Sequence, residues 1–260
     1  MVPGFLRPSV KPLNMLSMPN PAALAENAGL AFRGEIAWAP ALLTEHDAQR
    51  LLAVANTCGR PNADVLRRRL AVVDGEPAES WQIDFPAHFT DQEAALYEQP
   101  FALLQQRAGL WTNPHAAPAL RRALARVSRW LALPADAESP DWRWIEDDLL
   151  PDASLLVVAR DDDFTHGVLS SHAFALWWAQ LHRQPVLAVE SFPFPWPPAT
   201  PLSVLSKTQE EQRHAIARAA RSGDAAQLNA AVHAAYGWPV DLTDGELLSM
   251  LAASNHPRRG

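Results

Sequence analysis

Arginine supplies almost all of the positive charge in this 260-residue chain, and much of it falls in one stretch. Lys11 and Lys207 are the only lysines, and nine of the arginines lie between Arg60 and Arg129. The arginine side chain presents its donors in a planar fork that matches phosphate oxygens and guanine edges. The stretch therefore indicates contact with nucleic acid, although a GC-rich coding sequence that replaced lysine with arginine throughout would produce the same bias.

The candidate DNA contacts fall into three groups, and the first and third also have an ordinary structural explanation. The first is the polar face of a predicted helix, which could simply be solvated, and it holds Arg121, Arg122, Arg126 and Arg129. The second precedes it along the chain and holds Arg60, Asn62, Arg67, Arg68 and Arg69. The third surrounds a predicted helix whose first amides and hydroxyls could bind a phosphate or serve only as a cap, and it holds Ser170, Ser171, His172 and Arg183.

Residues that could bind a metal ion or act as a nucleophile do not form a convincing set. Asp161, Asp162 and Asp163 follow a predicted strand, where a solvated turn is a commoner explanation than a hard-metal site. His166 and His172 lack a third ligand at a suitable spacing. Cys58 is the only cysteine, which excludes an internal disulfide framework, and we predict that its thiol is inert.

The loops that an independent transferase or nuclease needs are also missing from the sequence. There is no Gly-x-Gly-x-x-Gly, no phosphate-binding Gly-x-x-x-x-Gly-Lys and no Asn-Pro-Pro-Tyr loop that could hold a target amine. No lysine accompanies a pair of carboxylates as a metal-dependent nuclease requires. We therefore predict no catalytic residue, no metal and no cofactor in this chain.

Composition indicates a globular cytoplasmic protein. Hydrophobic residues make up 48% and charged residues 20% of the chain, which is enough apolar surface for a sizeable core. No apolar run is long enough for a transmembrane helix, and the first ten residues lack the apolar segment of a signal peptide. The net charge of −7 argues mildly against a general nucleic-acid binder.

Capping residues and hydrophobic spacing predict short strands followed by helices. Helices are predicted from Thr44, over Thr90–Arg107 with a kink or split at Pro100, and over Pro118–Leu131, Ser170–Leu181, Thr208–Arg221, Asp224–Tyr236 and Thr243–Ala253. Strands are predicted over Trp81–Phe85, Trp142–Ile145 and Ser154–Ala159. The fold class that follows is a mixed α+β domain with a small all-α domain after it. The predicted boundaries are a loosely ordered lead-in over residues 1–25, the α+β domain over 26–198 and the helical domain over 199–260.

The order of several motifs resembles one protein family. Between Asp152 and Pro198 an apolar strand, a polar turn, a Ser-Ser-His helix start and a Phe-Pro-Phe-Pro segment follow one another. Further matching passages are Glu26–Gly34, Gly59–Arg67, Trp81–Phe85, Glu93–Phe101, Leu228–Pro239 and Leu242–Asn255. In series they resemble the target-recognition and C-terminal helical regions of bacterial type IIG-like enzymes, which fuse restriction with DNA adenine-N6 methylation. The catalytic domain of such an enzyme has no counterpart in this sequence.

The departures from the family pattern lie in segments expected to contact DNA. A basic segment after the Tyr-Glu-x-Pro-Phe helix is reduced here to Leu103–Trp111 with Arg107, and a longer passage before Phe-Pro-Phe-Pro is reduced to Gln180–Ser191. The resemblance implies a sequence-specificity module of a restriction–modification system, with double-stranded DNA as its partner. It also implies that S-adenosylmethionine and site-specific adenine methylation belong to a partner subunit or a missing domain.

Two functions remain open on the sequence. A recognition module would use the candidate arginines on phosphates and base edges. A scaffold that has lost its basic loops would instead bind a methyltransferase catalytic subunit or another defence-system protein. Neither function involves a membrane.

Overall fold

The computed structural model describes residues 21–109 and 118–255, in which two small sheets are surrounded by helices. The α-helices are α1 (Glu45–Leu52), α2 (Asp91–Ala95), α3 (Glu98–Ala108), α4 (Pro118–Leu124), α5 (Asp163–Leu169), α6 (His172–Leu181), α7 (Pro185–Glu190), α8 (Lys207–Ser222), α9 (Ala225–Tyr236) and α10 (Asp244–Ser254). The strands are β1 (Ala31–Arg33), β2 (Leu42–Leu43), β3 (Leu66–Val73), β4 (Glu76–Ile83), β5 (Trp130–Pro134), β6 (Arg143–Ile145), β7 (Leu149–Pro151) and β8 (Leu155–Val158). The predicted α+β fold with helices at its C-terminal side is confirmed.

The first sheet has the order β1-β8-β5-β6, and each pair of neighbours is antiparallel. All four residues of β8 are buried, which explains why its sequence is a continuous apolar run. Its Leu156 and Val158 face a core that includes α5 and α6, whereas Leu155 and Val157 face the second sheet and α4. The sheet is thus covered on both faces.

The second sheet has the order β2-β4-β3-β7 and is built on one long hairpin. β3 and β4 pair over their full length and are joined by Asp74 and Gly75, both of which have positive φ. Two successive residues of positive φ are what a tight type I′ hairpin turn requires. β7 joins the other side of β3 in the parallel direction.

The two sheets meet at Glu35, the second residue after β1. The backbone of Glu35 pairs with Asp152, which directly follows β7. A Cβ atom on the adjacent Gly34 would lie 2.0 Å from the carbonyl oxygen of Asp152, so only glycine fits there. This close approach brings side chains from both sheets together.

The C-terminal helices do not pack as a separate layer. Ile216 of α8, Val232 of α9 and Leu251 of α10 belong to the same buried cluster as Trp177 and Trp178 of α6. This cluster contains residues on both sides of the predicted boundary between 198 and 199, and the boundary itself stays a prediction. The predicted lead-in, 1–25, lies outside the described residues except for its last five.

The helix predicted over Pro118–Leu131 is wrong in its second half. α4 ends at Leu124, and Leu131 lies in β5, where it pairs with Val158. The spacing of Leu120, Leu124 and Val127 suits a helix, but the next residues are buried on both faces of a central strand, and tertiary pairing overrides the helical pattern.

The other predicted elements are close to those observed. Thr44, Thr90 and Thr243 cap their helices as expected, and Gly237 ends α9 with a positive φ. The predicted split occurs between α2 and α3, and Pro100 lies in the first turn of α3, where a proline is tolerated. The helices α5 and α7 and the strands β1, β2, β3, β5 and β7 were not predicted from the sequence.

Candidate nucleic-acid interface

The orientation of α4 is fixed by Arg121. Its Nε and Nη2 atoms donate to the two carboxylate oxygens of Glu35 at 2.5 and 2.6 Å. Its Nη1 and Nη2 atoms donate to the two oxygens of Asp84 at 2.8 and 2.9 Å. Burial by itself would lower the pKa of Arg121, but the hydrogen bonds with Glu35 and Asp84 outweigh it and raise that pKa above its usual range. Arg121 therefore stays charged and joins α4 to both sheets.

Arg122 of α4 and Arg126 of the turn that follows it extend into solvent. Both are exposed, and neither has an ion-pair or hydrogen-bond partner for its side chain among residues 21–109 and 118–255. Arg122 points roughly 100° away from Arg121 around the helix, and the chain leaves the helix before Arg126. Glu35 and Asp84 thus form a clamp that binds Arg121, whereas Arg122 and Arg126 are exposed.

Arg129 belongs to a different arrangement from the other three arginines of its predicted helix face. It lies in the turn before β5, with its guanidinium 3.9 Å above the ring of Trp144. Its Nη2 atom donates to Asp163 at 2.7 Å and to the carbonyl of Asp161 at 3.1 Å. These contacts hold β5 against the start of α5, so the side chain is engaged within the protein.

The three arginines of β3 are each paired with an acceptor in the protein. Arg67 pairs with Asp148 and Arg68 with Glu79, at partly exposed positions. Arg69 is buried, and it donates to Gln82 at 2.8 Å, to the carbonyl of Glu35 at 2.7 Å and to Asp152. Burial alone would raise the pKa of Asp152, but hydrogen bonds from Ser154 and Arg69 lower it below its ordinary value.

Asn62 and Arg60 occupy very different environments although they are two residues apart. Asn62 is buried, and its amide donates to the carbonyls of Leu51 and Val54 while its oxygen accepts from Asn56. Those bonds use its polar atoms to shape the turn before β3. Arg60 is exposed and interacts with the hydroxyl of Tyr97, whose pKa is raised chiefly by burial.

The start of α6 has its polar groups satisfied by the protein. Ser171 is buried and caps the helix by accepting from the amide of Phe174 at 3.3 Å. The amide of His172 donates to Asn229 at 2.8 Å, and its ring pairs with Asp244 of α10. Ser170 is exposed at the end of α5, and Arg183 is exposed after α6. No hydrogen bond or ion pair among the described residues joins this group to α4.

The three successive aspartates after β8 form a junction rather than an open turn. Asp162 caps α5 and accepts from Arg160 at 2.9 Å, and Asp163 accepts from Arg129 and from Arg221 of α8. Asp161 is exposed, and among the described residues its carboxylate receives only a long contact of 3.5 Å from the amide of Ser128. In the described part of the chain, no group of three or more His, Cys, Asp or Glu residues is arranged to hold a metal ion.

Sequence reasoning missed Glu35 and Asp84, the two carboxylates that bind Arg121. They are 86 and 37 residues away from it along the chain, and no local motif relates the three positions. The available signal was indirect and concerned only Asp84, because a charged residue within a predicted strand, here Trp81–Phe85, often needs a partner from another element.

Comparison with known proteins gives a likeness in structure alone. No protein-family model matches this chain, and no curated protein matches its sequence. A solved structure of the Type IIL restriction-modification enzyme MmeI in complex with DNA superposes with a TM-score of 0.53 and 14% sequence identity. The chain shares its fold with part of a restriction-modification enzyme. The match covers 86% of this chain but only 35% of the MmeI chain.

Length and apolar character decide whether a helix can cross a lipid bilayer. None of those within residues 21–109 and 118–255 combines the length and the apolar character that crossing a membrane requires.

Proposed function

We propose that this chain is a DNA-recognition module of a restriction–modification type system, of the specificity-subunit kind that lacks its own catalytic motifs. The observation that carries the proposal is the fold shared with a restriction-modification enzyme over 86% of this chain. The motif series between Glu26 and Asn255 supports the same assignment. In this proposal adenine methylation and S-adenosylmethionine belong to another subunit or domain, as in the bacterial type IIG-like enzymes that the motifs resemble.

The DNA-contacting surface in this proposal contains only some of the thirteen candidate residues. Arg122 of α4 and Arg126, in the turn directly after α4, are its centre, because both are exposed and free of any carboxylate partner in the described part of the chain. Arg60, Ser170 and Arg183 are exposed as well and remain further candidates. Arg67, Arg68, Arg69, Arg121 and Arg129 already bind carboxylates, so each would have to leave a partner before it could contact a phosphate.

The test is a pair of double charge reversals measured with labelled duplex DNA across a salt series. Arg122→Glu with Arg126→Glu should weaken binding and reduce the slope of log K against log salt by about 2, one for each lost phosphate contact. Lys207→Glu with Arg218→Glu is the control, because it makes the same charge change at exposed positions of α8. Equal losses in the two double variants would show that Arg122 and Arg126 do not form a specific contact surface.

A second function is favoured by the surface around β6. Five exposed carboxylates there have no ion-pair partner among the described residues: Asp136, Glu138, Asp141, Glu146 and Asp147. Such a surface repels phosphates and suits a basic protein surface. We therefore keep a role as a scaffold that binds a methyltransferase catalytic subunit or another defence-system protein. A complex that persists at high salt in the absence of DNA would support this role.

A further inference from the structure

Glu35 and Asp84 receive Arg121 in positions that the backbone fixes. The amide of Glu35 donates to the carbonyl of Pro151 at 2.8 Å, and its own carbonyl accepts from Ala153 at 2.9 Å. The amide of Asp84 donates to the carbonyl of Val65 at 2.8 Å. Both carboxylates are largely buried, with side-chain exposures of 5% and 12%. The acceptors therefore belong to the rigid junction between the two sheets.

Among the described residues, α4 makes few other contacts that would define its rotation. It spans seven residues, and Leu120 is its one fully buried side chain, with Leu124 packed partly against the same cluster. A single apolar contact line allows a short helix to roll, because van der Waals packing is not directional. The four hydrogen bonds of Arg121 act to one side of that line, and a guanidinium fork fixes direction as well as distance.

We propose that Glu35 and Asp84 are positioning residues that act through Arg121 to hold Arg122 and Arg126 toward DNA. This inference rests on the proposed function for its DNA partner, and on the geometry of α4 for its mechanism. In this way Glu35 and Asp84 favour the binding of DNA although neither carboxylate contacts it. Holding a contact surface in its bound orientation raises affinity because less ordering remains to be done on binding.

The direction in which Asp84→Asn changes DNA affinity separates positioning from simple electrostatics. Asp84→Asn removes a negative charge, which by charge alone leaves DNA binding unchanged or makes it tighter. Positioning predicts the opposite, since two of the four hydrogen bonds to Arg121 are weakened and α4 can rotate. We expect the dissociation constant for a random-sequence duplex to rise about fivefold. Asp141→Asn, the same chemical change at an exposed carboxylate, is the matched control.

The effect must also depend on the two arginines. When Arg122→Ala and Arg126→Ala are already present, adding Asp84→Asn should change the dissociation constant by less than about twofold, because the groups being positioned are gone. Arg121→Lys, which keeps the charge but loses the fork, should weaken binding like Asp84→Asn, and it serves as the second variant if Asp84→Asn folds poorly. Binding by Asp84→Asn that matches the Asp141→Asn control would overturn the inference.

Amide hydrogen exchange distinguishes failure of the inference from failure of the proposed function. Asp84→Asn should speed exchange in residues 118–126 and leave α8 unchanged. If the wild-type chain binds no DNA, the proposed function is wrong, and hydrogen exchange alone tests whether Glu35 and Asp84 hold α4 in place through Arg121. Faster exchange confined to residues 118–126 would support that role, and unchanged exchange would contradict it.

Discussion

Arg121 and Glu35 meet side on, with two nitrogen donors of one facing the two carboxylate oxygens of the other at 2.5 and 2.6 Å. Glu35 also accepts from the buried Arg69 through its backbone carbonyl. One residue thus binds two arginines, from β3 and from α4. Positive charge that could serve an external anion is in this way used partly to join the two sheets.

Loss of the Arg121 side chain should destabilise the fold. Arg121→Met leaves Glu35 buried without its partner, and breaking a buried pair from one side costs about 3–5 kcal/mol. Arg122→Met, at the exposed neighbour, should change the free energy of unfolding by less than about 0.5 kcal/mol. Urea denaturation at neutral pH measures both values. Similar values for the two variants would show that the clamp contributes little.

The aspartates at positions 161 to 163 should differ in their contributions although they are adjacent. Asp163→Ala removes a carboxylate bound by Arg129 and Arg221 and should cost about 1.5–3 kcal/mol, the usual range for hydrogen bonds to charged groups. Asp161→Ala removes an exposed side chain with one long contact and should be nearly neutral. Thermal unfolding of the two variants gives the comparison. A neutral Asp163→Ala would contradict the junction described between β5, α5 and α8.

The contact between α5 and α8 requires a glycine at position 167. A Cβ atom there would lie 2.7 Å from Cγ2 of the buried Ile216 and 3.2 Å from the backbone oxygen of the same residue. Gly167→Ala should therefore cost about 1–3 kcal/mol through overpacking. Gly245→Ala is the control, because that helical glycine has open space around it and should gain up to about 1 kcal/mol. Equal stabilities of both variants in urea would show that the helices separate easily.

His166 should make stability depend on pH in the weakly acidic range. Burial lowers the pKa of His166, although Asp163 opposes that effect, and the ring packs against Trp144. The unfolded chain takes up the proton near the ordinary value of about 6.5, whereas the folded chain resists it. Stability from this group is thus present above that value and is lost as pH falls toward the lower folded pKa.

The pH dependence is measured as the change in unfolding free energy on moving from above pH 6.5 into the weakly acidic range. His166→Gln should reduce that change, whatever its effect on absolute stability. His214→Gln, at an exposed position of α8, should keep the wild-type change. If both variants follow the wild type, His166 is not the responsible group.

The sequence was most informative where local chemistry decides structure. Capping boxes at Thr90 and Thr243 and the apolar run of β8 correctly located their elements. The hairpin between β3 and β4 was missed although Asp74-Gly75 is a strong signal for a type I′ turn, because the arginines around position 68 obscured the strand pattern. The second half of the helix predicted after Pro118 failed because strand pairing is a non-local effect.

The candidate site was predictable in residue type but not in residue role. Four arginines on one predicted helix face looked equivalent, yet Arg121 is clamped, Arg129 lies over Trp144, and only Arg122 and Arg126 extend into solvent without a partner in the described part of the chain. The difference depends on Glu35, Asp84 and Asp163, which reach these arginines from other elements. Periodicity along one helix carries no information about such partners.

The most direct test of the account is fluorescence anisotropy of the purified chain with random-sequence duplex DNA across a salt series. We predict binding that weakens linearly in log salt, which is the behaviour of a surface that displaces counterions from phosphates. Absence of binding even at low salt, by a chain whose circular dichroism shows it folded, would contradict a DNA-recognition role and leave the protein-binding scaffold as the function to pursue.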